Sequence, residues 1–178
     1  MLTFLILLTL LYFFYAGARR GMWLQLVHVA GYLVSFLAAW ALCKPLGQTI
    51  SLFVPYPSAT EQSRFVFFSN KVGLTLDDAF YRGVAFILIL MIGWLLTRYL
   101  ALWVHDLSYS GHDAALRLFG GGVLNLVIGY LFIFLLIYLA ALVPVSGIQS
   151  LLADSFAAKT IIHTPLLEQM ITNLWIIA

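Results

Sequence analysis

The chain has 178 residues, 63% of them hydrophobic and only 9% charged, with a formal net charge of +2. Soluble domains average about half apolar and a quarter charged residues, so a soluble globule of this length cannot cover so much apolar surface, and lipid must be the solvent for much of it. Apart from Arg19-Arg20 the basic residues are scattered, which removes nucleic acid from the candidate partners.

The first interruption of the apolar sequence is Ala16-Gly17-Ala18-Arg19-Arg20-Gly21. Guanidiniums in hydrocarbon are costly, whereas glycine and alanine tolerate a tight reversal. The six residues therefore read as the turn of a transmembrane hairpin. Its first arm, about 1–17, carries its positive charge after the apolar run, the reverse of a signal peptide. It just reaches across a core of about 30 Å. The second arm, about 22–43, ends at Lys44-Pro45, and Cys43 beside it reads as a small packing residue.

Residues 44–80 form the longest polar interval. Helical spacing of Leu46, Ile50, Phe53 and Val54 predicts a short amphipathic helix over 45–54. Ser58 with Glu61 makes a capping box for another over 59–70, and Thr75 with Asp78 offers a box leading into the third span. That span, about 82–104, is unusual because Arg82 and Arg98 bracket only 15 uncharged residues. These rise about 22 Å, so Arg98 is expected one to two turns inside the helix end, snorkelling or paired.

The connection HDLSYSGHDAALR holds two His-Asp dipeptides, His105-Asp106 and His112-Asp113. Their spacing matches no standard zinc pattern. Ser110, His112 and Asp113 supply the residue types of a catalytic triad but are near neighbours without a Gly-x-Ser-x-Gly elbow. We read a polar cytoplasmic turn, with no catalytic, metal or cofactor site, and expect a protein that is not an enzyme. A fourth span runs about 118–143. Beyond it, Ser146 with Gln149 suggests a capping box for an amphipathic helix over 147–162, with Ile148, Leu151, Leu152 and Phe156 opposite Gln149. Thr164-Pro165 starts another over 165–177, and both are expected to pack on the bundle.

The fold class is thus an all-α integral membrane protein, a single membrane domain over 1–178 with four transmembrane helices and short amphipathic helices. Four crossings place both termini on one side, and the arginine hairpin places that side outside the cytoplasm.

Within the spans, Gln25, His28, Gly31 and Ser35 recur at intervals of three or four, a small and polar stripe among bulky residues. Gly93, Thr97 and Ala101 repeat the pattern in the third span, beside Arg98, and Gly121, Asn125 and Gly129 in the fourth. Close backbone approach and interhelical hydrogen bonds are what hold helices together in lipid, so spans two, three and four are expected to touch through these faces. The competing reading is a polar pathway through Gln25, His28, Arg98 and Asn125, but no carboxylate accompanies them.

Several of these residues carry a resemblance. Arg20-Gly21 opening the second span, with Gln25 shortly after, is similar to a pattern of the CvpA, or colicin V production protein, family. So is the turn Ser110-Gly111-His112-Asp113 through Arg117 and Gly120. The tail, with Gln149, Asp154-Ser155, Ile161-Ile162, Thr164-Pro165 and Leu174-Trp175, resembles members from Gram-positive bacteria. One departure is at Val127-Ile128-Gly129, which has the glycine without the basic residue many members place before it. The resemblance implies a multi-pass cell-membrane protein associated with toxin or bacteriocin production and envelope homeostasis. The reading is therefore an accessory protein in the lipid bilayer, acting through membrane protein partners or self-association. The alternative is a small oligomeric transporter or pore using the polar stripe.

Overall fold

The computed structural model describes residues 1–57, 59, 63, 65–68, 76–109 and 113–177, and among these no strand occurs. The long helices are α1 (Leu2–Arg20), α2 (Met22–Ile50), α3 (Leu76–Leu100) and α4 (Gly121–Ala141). Three short ones follow: α5 (Ser146–Ala153), α6 (Phe156–Ile162) and α7 (Pro165–Ile171), the last continuing as a π-helical turn over Thr172–Ile177. A 3-10 stretch, Ala101–Tyr109, extends α3 and breaks at Val104 (φ −119°, ψ 23°). A π-helical turn, Leu116–Gly120, leads into α4. Among the described residues four stretches are long and apolar enough to cross a membrane: Leu2–Arg20, Met22–Ile50, Leu76–Leu107 and Leu116–Ala141.

The turn between α1 and α2 is shorter than the sequence suggested. Helix α1 continues through Arg19 and Arg20, where cations at a helix C-terminus are favoured by the backbone dipole. Only Gly21 leaves helical geometry, with φ +78°. Its N–H donates to the Gly17 carbonyl (3.1 Å), closing α1, and its own carbonyl accepts from Gln25 N (3.1 Å), opening α2. One residue thus caps two helices, which a side chain in the left-handed region would strain.

Three further boundaries differ from the sequence reading. Pro45 does not end α2, which runs on to Ile50, so there is no separate helix over 45–54. Proline removes one backbone bond, but a Cβ on Gly47 would lie 3.1–3.2 Å from the Tyr81 and Arg82 backbone, so this turn of α2 is held close to α3. Helix α3 begins at Leu76 with Arg82 inside it, and the Arg82 Nη1 donates to the Trp175 carbonyl (3.4 Å). The helix expected over 147–162 is two helices, broken at Asp154-Ser155, because the Ser155 hydroxyl caps α6 by accepting from Ala158 N (3.2 Å). The Ser58–Glu61 box and half of the expected helix over 59–70 lie outside the described residues, as does Thr75; residues 65–68 are not helical.

The helices form two compact units, one of Met1–Phe4, Ala39–Ile87 and Phe134–Ala178, the other of Leu5–Ala38 and Leu88–Ile133. The first is organised around Trp175, which is fully buried. Its ring stands edge-on to Phe86 (5.8 Å) and Tyr138 (5.6 Å), while the Tyr138 hydroxyl bonds the Thr172 hydroxyl at 2.7 Å. Leu174 and Ile171 are buried with it, so the C-terminal helix packs on α3 and α4, although Leu166 at its start is exposed. The Trp175 indole N–H is the one buried side-chain polar atom without a partner among those described. That costs about 1–3 kcal/mol, set against the burial of the largest of the fully buried side chains.

Gln149 departs most from its expected role. It is buried rather than part of a capping box, and the N-cap of α5 is Val145, with no side-chain cap. Its Nε2 donates to the carbonyls of Ala141 (3.1 Å) and Val143 (2.8 Å), and its Oε1 accepts from Val66 N (3.0 Å). The amide thereby satisfies backbone groups at the end of α4, where helical carbonyls run out of partners.

Candidate functional site: a polar seam

The second unit contains the residues singled out in the spans. Gln25 and Asn125 are almost completely buried and joined directly, Gln25 Nε2 donating to Asn125 Oδ1 at 3.0 Å. Asn125 Nδ2 donates in turn to the Phe13 carbonyl on α1 (2.6 Å), and Arg20 Nη1 donates to Gln25 Oε1 (3.3 Å). All donors point the same way, from the guanidinium through two amides to a backbone oxygen. The last helical residue of α1 is thus tied through α2 and α4 back to the middle of α1.

His28 is not part of this chain of bonds. Its Nδ1 bonds the Leu24 carbonyl of its own helix (2.9 Å), which requires the proton on Nδ1, and its ring lies edge-on to Tyr32 (6.0 Å). Arg98, in the last turn of α3, stacks on Trp94 with its guanidinium 5.4 Å from the ring centroid. Its charge is thereby partly met by an aromatic face. The Gln25–Asn125 bond therefore does not extend to His28 or Arg98.

The small residues work in pairs. A Cβ on Gly31 would overlap the Thr97 side chain, and one on Gly93 would overlap that of Ser35. Helices α2 and α3 thus meet with each glycine opposite a hydroxyl residue. Both hydroxyls bond carbonyls of their own helix, Ser35 to Gly31 (2.8 Å) and Thr97 to Gly93 (2.7 Å), so their polarity is spent locally. On α4, Gly129 lies against the Phe13 ring, Gly122 against Phe14, and Gly121 against the backbone of Gly17 and Gly21. The stripe of the fourth span therefore meets the first span, to which the sequence reading gave no packing face, and reaches the second through Asn125. Gly17 and Phe13 are the residues missed. Their signal was present, Gly17 lying four residues after Phe13 and four before Gly21, but it was absorbed into the arginine turn.

Arg19 and Arg20 diverge although adjacent. Arg20 turns inward to Gln25, while Arg19 is exposed beside an open groove along α1. In the connection before α4, Asp113 Oδ1 accepts from Ala115 N (2.9 Å) and Leu116 N (3.3 Å), so this carboxylate is a helix cap. His105 and Asp106 are exposed, while Ser110 and His112 lie outside the described residues. Among the described residues no group of three or more His, Cys, Asp or Glu side chains is placed to hold a metal ion.

A protein-family profile described as colicin V production protein matches residues 2–165. The chain belongs to the colicin V production protein family. A relative described as the uncharacterized transmembrane protein YshB of Bacillus subtilis (strain 168) is 29% identical over 177 residues, covering 98% of this chain and 97% of the relative. No solved structure matches.

In this member of the colicin V production family, the motif Arg20-Gly21 with Gln25 has a concrete geometry. Gly21 supplies the one-residue reversal, and Arg20 donates to Gln25 across it. Asp113 supplies the cap that starts the fourth span. At Val127-Ile128-Gly129, where a basic residue is lacking, the glycine receives the Phe13 ring.

Proposed function

We propose that this family member is a non-enzymatic accessory protein of the cell membrane, acting through protein partners in toxin or bacteriocin production or in envelope homeostasis. The observation that carries the reading is how the seam spends its polar atoms. The Gln25 and Asn125 amides bond each other and their neighbours, and the Ser35 and Thr97 hydroxyls bond back into their own helices. A pathway for ions or protons needs groups that exchange partners with the passing species, whereas these hold helices together. Both termini lie outside the cytoplasm, a reading supported by Arg19, Arg20, Arg98 and Arg117 flanking the hairpin and the connection before α4.

A photoreactive residue at Val34 or Leu95, both exposed on the second unit, should give a discrete adduct with another membrane protein in intact cells. Tags at the two termini should be reached by an impermeant reagent from outside. Solute or ion movement by the purified, reconstituted protein alone, abolished by Gln25→Leu, would overturn the reading in favour of an oligomeric transporter.

A further inference from the structure

A groove of about 890 Å³ runs along α1, lined by Leu8, Leu11, Tyr12 and Tyr15, closed on one side by Leu118 and ending at Arg19. Its walls are mostly apolar; the polar groups among the lining residues are Arg19, the phenol hydroxyls of Tyr12 and Tyr15, and the Thr9 hydroxyl, which already bonds the Leu5 carbonyl (2.8 Å). From Leu8 to Arg19 the helix rises about 16 Å, close to half of a hydrocarbon core of about 30 Å. The groove therefore has the length of one leaflet, with a guanidinium where that leaflet's headgroups lie.

The charge at this end is unbalanced. Among the described residues no carboxylate lies within ion-pairing distance of Arg19. Arg20 is drawn to Gln25, whereas Arg19 is exposed, and Arg117 directly precedes the groove residue Leu118. An apolar channel one leaflet long with a fixed cation at its mouth complements an acyl chain joined to a phosphate.

We infer that this groove is a binding site for an anionic phospholipid, its acyl chain lying between α1 and Leu118 and its headgroup phosphate on the Arg19 guanidinium. The site stands apart from the polar seam and does not depend on the accessory role proposed above. A transmembrane helix of a second copy is the competing occupant, but it would leave the Arg19 charge without a counterion unless it carried a carboxylate at that depth.

Native mass spectrometry of the purified, delipidated full chain tests this with phosphatidylglycerol and phosphatidylcholine of identical acyl chains. Retention of phosphatidylglycerol should exceed that of phosphatidylcholine by about five-fold, the scale of one arginine facing an anionic headgroup. Arg19→Gln should bring the ratio close to one and Arg19→Lys should keep most of it. Leu11→Trp, which fills the groove without touching the charge, should lower phosphatidylglycerol retention, with helicity by circular dichroism confirming that the variants fold. Excess inorganic phosphate should leave the lipid in place. Equal retention of the two lipids, an unchanged preference in Arg19→Gln, displacement by phosphate alone, or a dimer on delipidation that Leu11→Trp abolishes would each overturn the site.

Discussion

Gly17 and Gly121 meet backbone to backbone: a Cβ on Gly121 would lie 2.5 Å from the Gly17 carbonyl oxygen, and one on Gly17 would overlap the Gly121 carbonyl. Neither neighbour is the movable end of a side chain, so relief requires α1 and α4 to part. Gly17→Ala or Gly121→Ala is expected to destabilise the protein by about 1–3 kcal/mol, the usual scale of overpacking. Unfolding in mixed micelles would measure it. Gly147→Ala, at a position with nothing within 4 Å of the added carbon, is the control and should be nearly neutral.

The Gln25–Asn125 bond predicts non-additivity. Gln25→Leu alone leaves the Asn125 carbonyl oxygen without its donor, and Asn125→Leu leaves the Gln25 amide without its acceptor. Each should cost roughly 1 kcal/mol in a membrane environment, and the double replacement should cost less than the sum because neither amide is then left facing a lost partner, while the Arg20 guanidinium loses its acceptor already in Gln25→Leu. A double-mutant cycle checks this, and additive losses would show that the two amides are not coupled.

Gln149 distinguishes a hydrogen-bonding role from mere burial. Gln149→Glu preserves shape, but an ionised carboxylate cannot donate to the Ala141 and Val143 carbonyls. A loss of roughly 1–3 kcal/mol is expected at neutral pH. Part should return on acidification, when the protonated acid regains one donor. Melting curves of both proteins across pH 4–8 would reveal the difference.

Tyr56 ties the connection after α2 to the end of α4, its hydroxyl donating to the Leu142 carbonyl at 2.7 Å. Burial, with Asp77 and Tyr81 adding to it, pushes its phenol from an ordinary value of 10.0 up to about 12. Because the folded state holds this proton more tightly than the unfolded one, the stabilisation is complete below pH 10. It is lost as pH rises from about 10 through 12. Tyr56→Phe should lower stability at pH 8 and make its decline between pH 10 and 12 shallower, measured by thermal unfolding.

Periodicity made the interior faces legible and left their mates undetermined. The recurrence of Gln25, Gly31 and Ser35 marks one side of α2 because hydrocarbon penalises exposed amides and gives small residues no reason to cluster except close approach. A stripe does not say which helix it meets, and the stripe of α4 met α1. Boundaries failed where tertiary contacts outweighed local signals. Pro45 reads as a stop, but Gly47 holds that turn of α2 to α3. Arg82 reads as a membrane edge, but the Trp175 carbonyl receives its guanidinium inside a helix. Gln149 reads as a cap, yet its amide serves carbonyls on either side of the bend after α4, a demand invisible until that bend exists.

The opposition of Gly31 to Thr97 and of Ser35 to Gly93 also fixes the register of two helices whose outer surfaces offer lipid little to choose between. Because the helices run antiparallel, a slip of four residues one way would set Ser35 against Thr97, two side chains where there is room for one. The same slip the other way would set Gly31 against Gly93 and open a void. Four small residues thus act as a key with one seating, so the depth at which Arg98 and Tyr99 meet the interface is set by α2 rather than by their own preference for water.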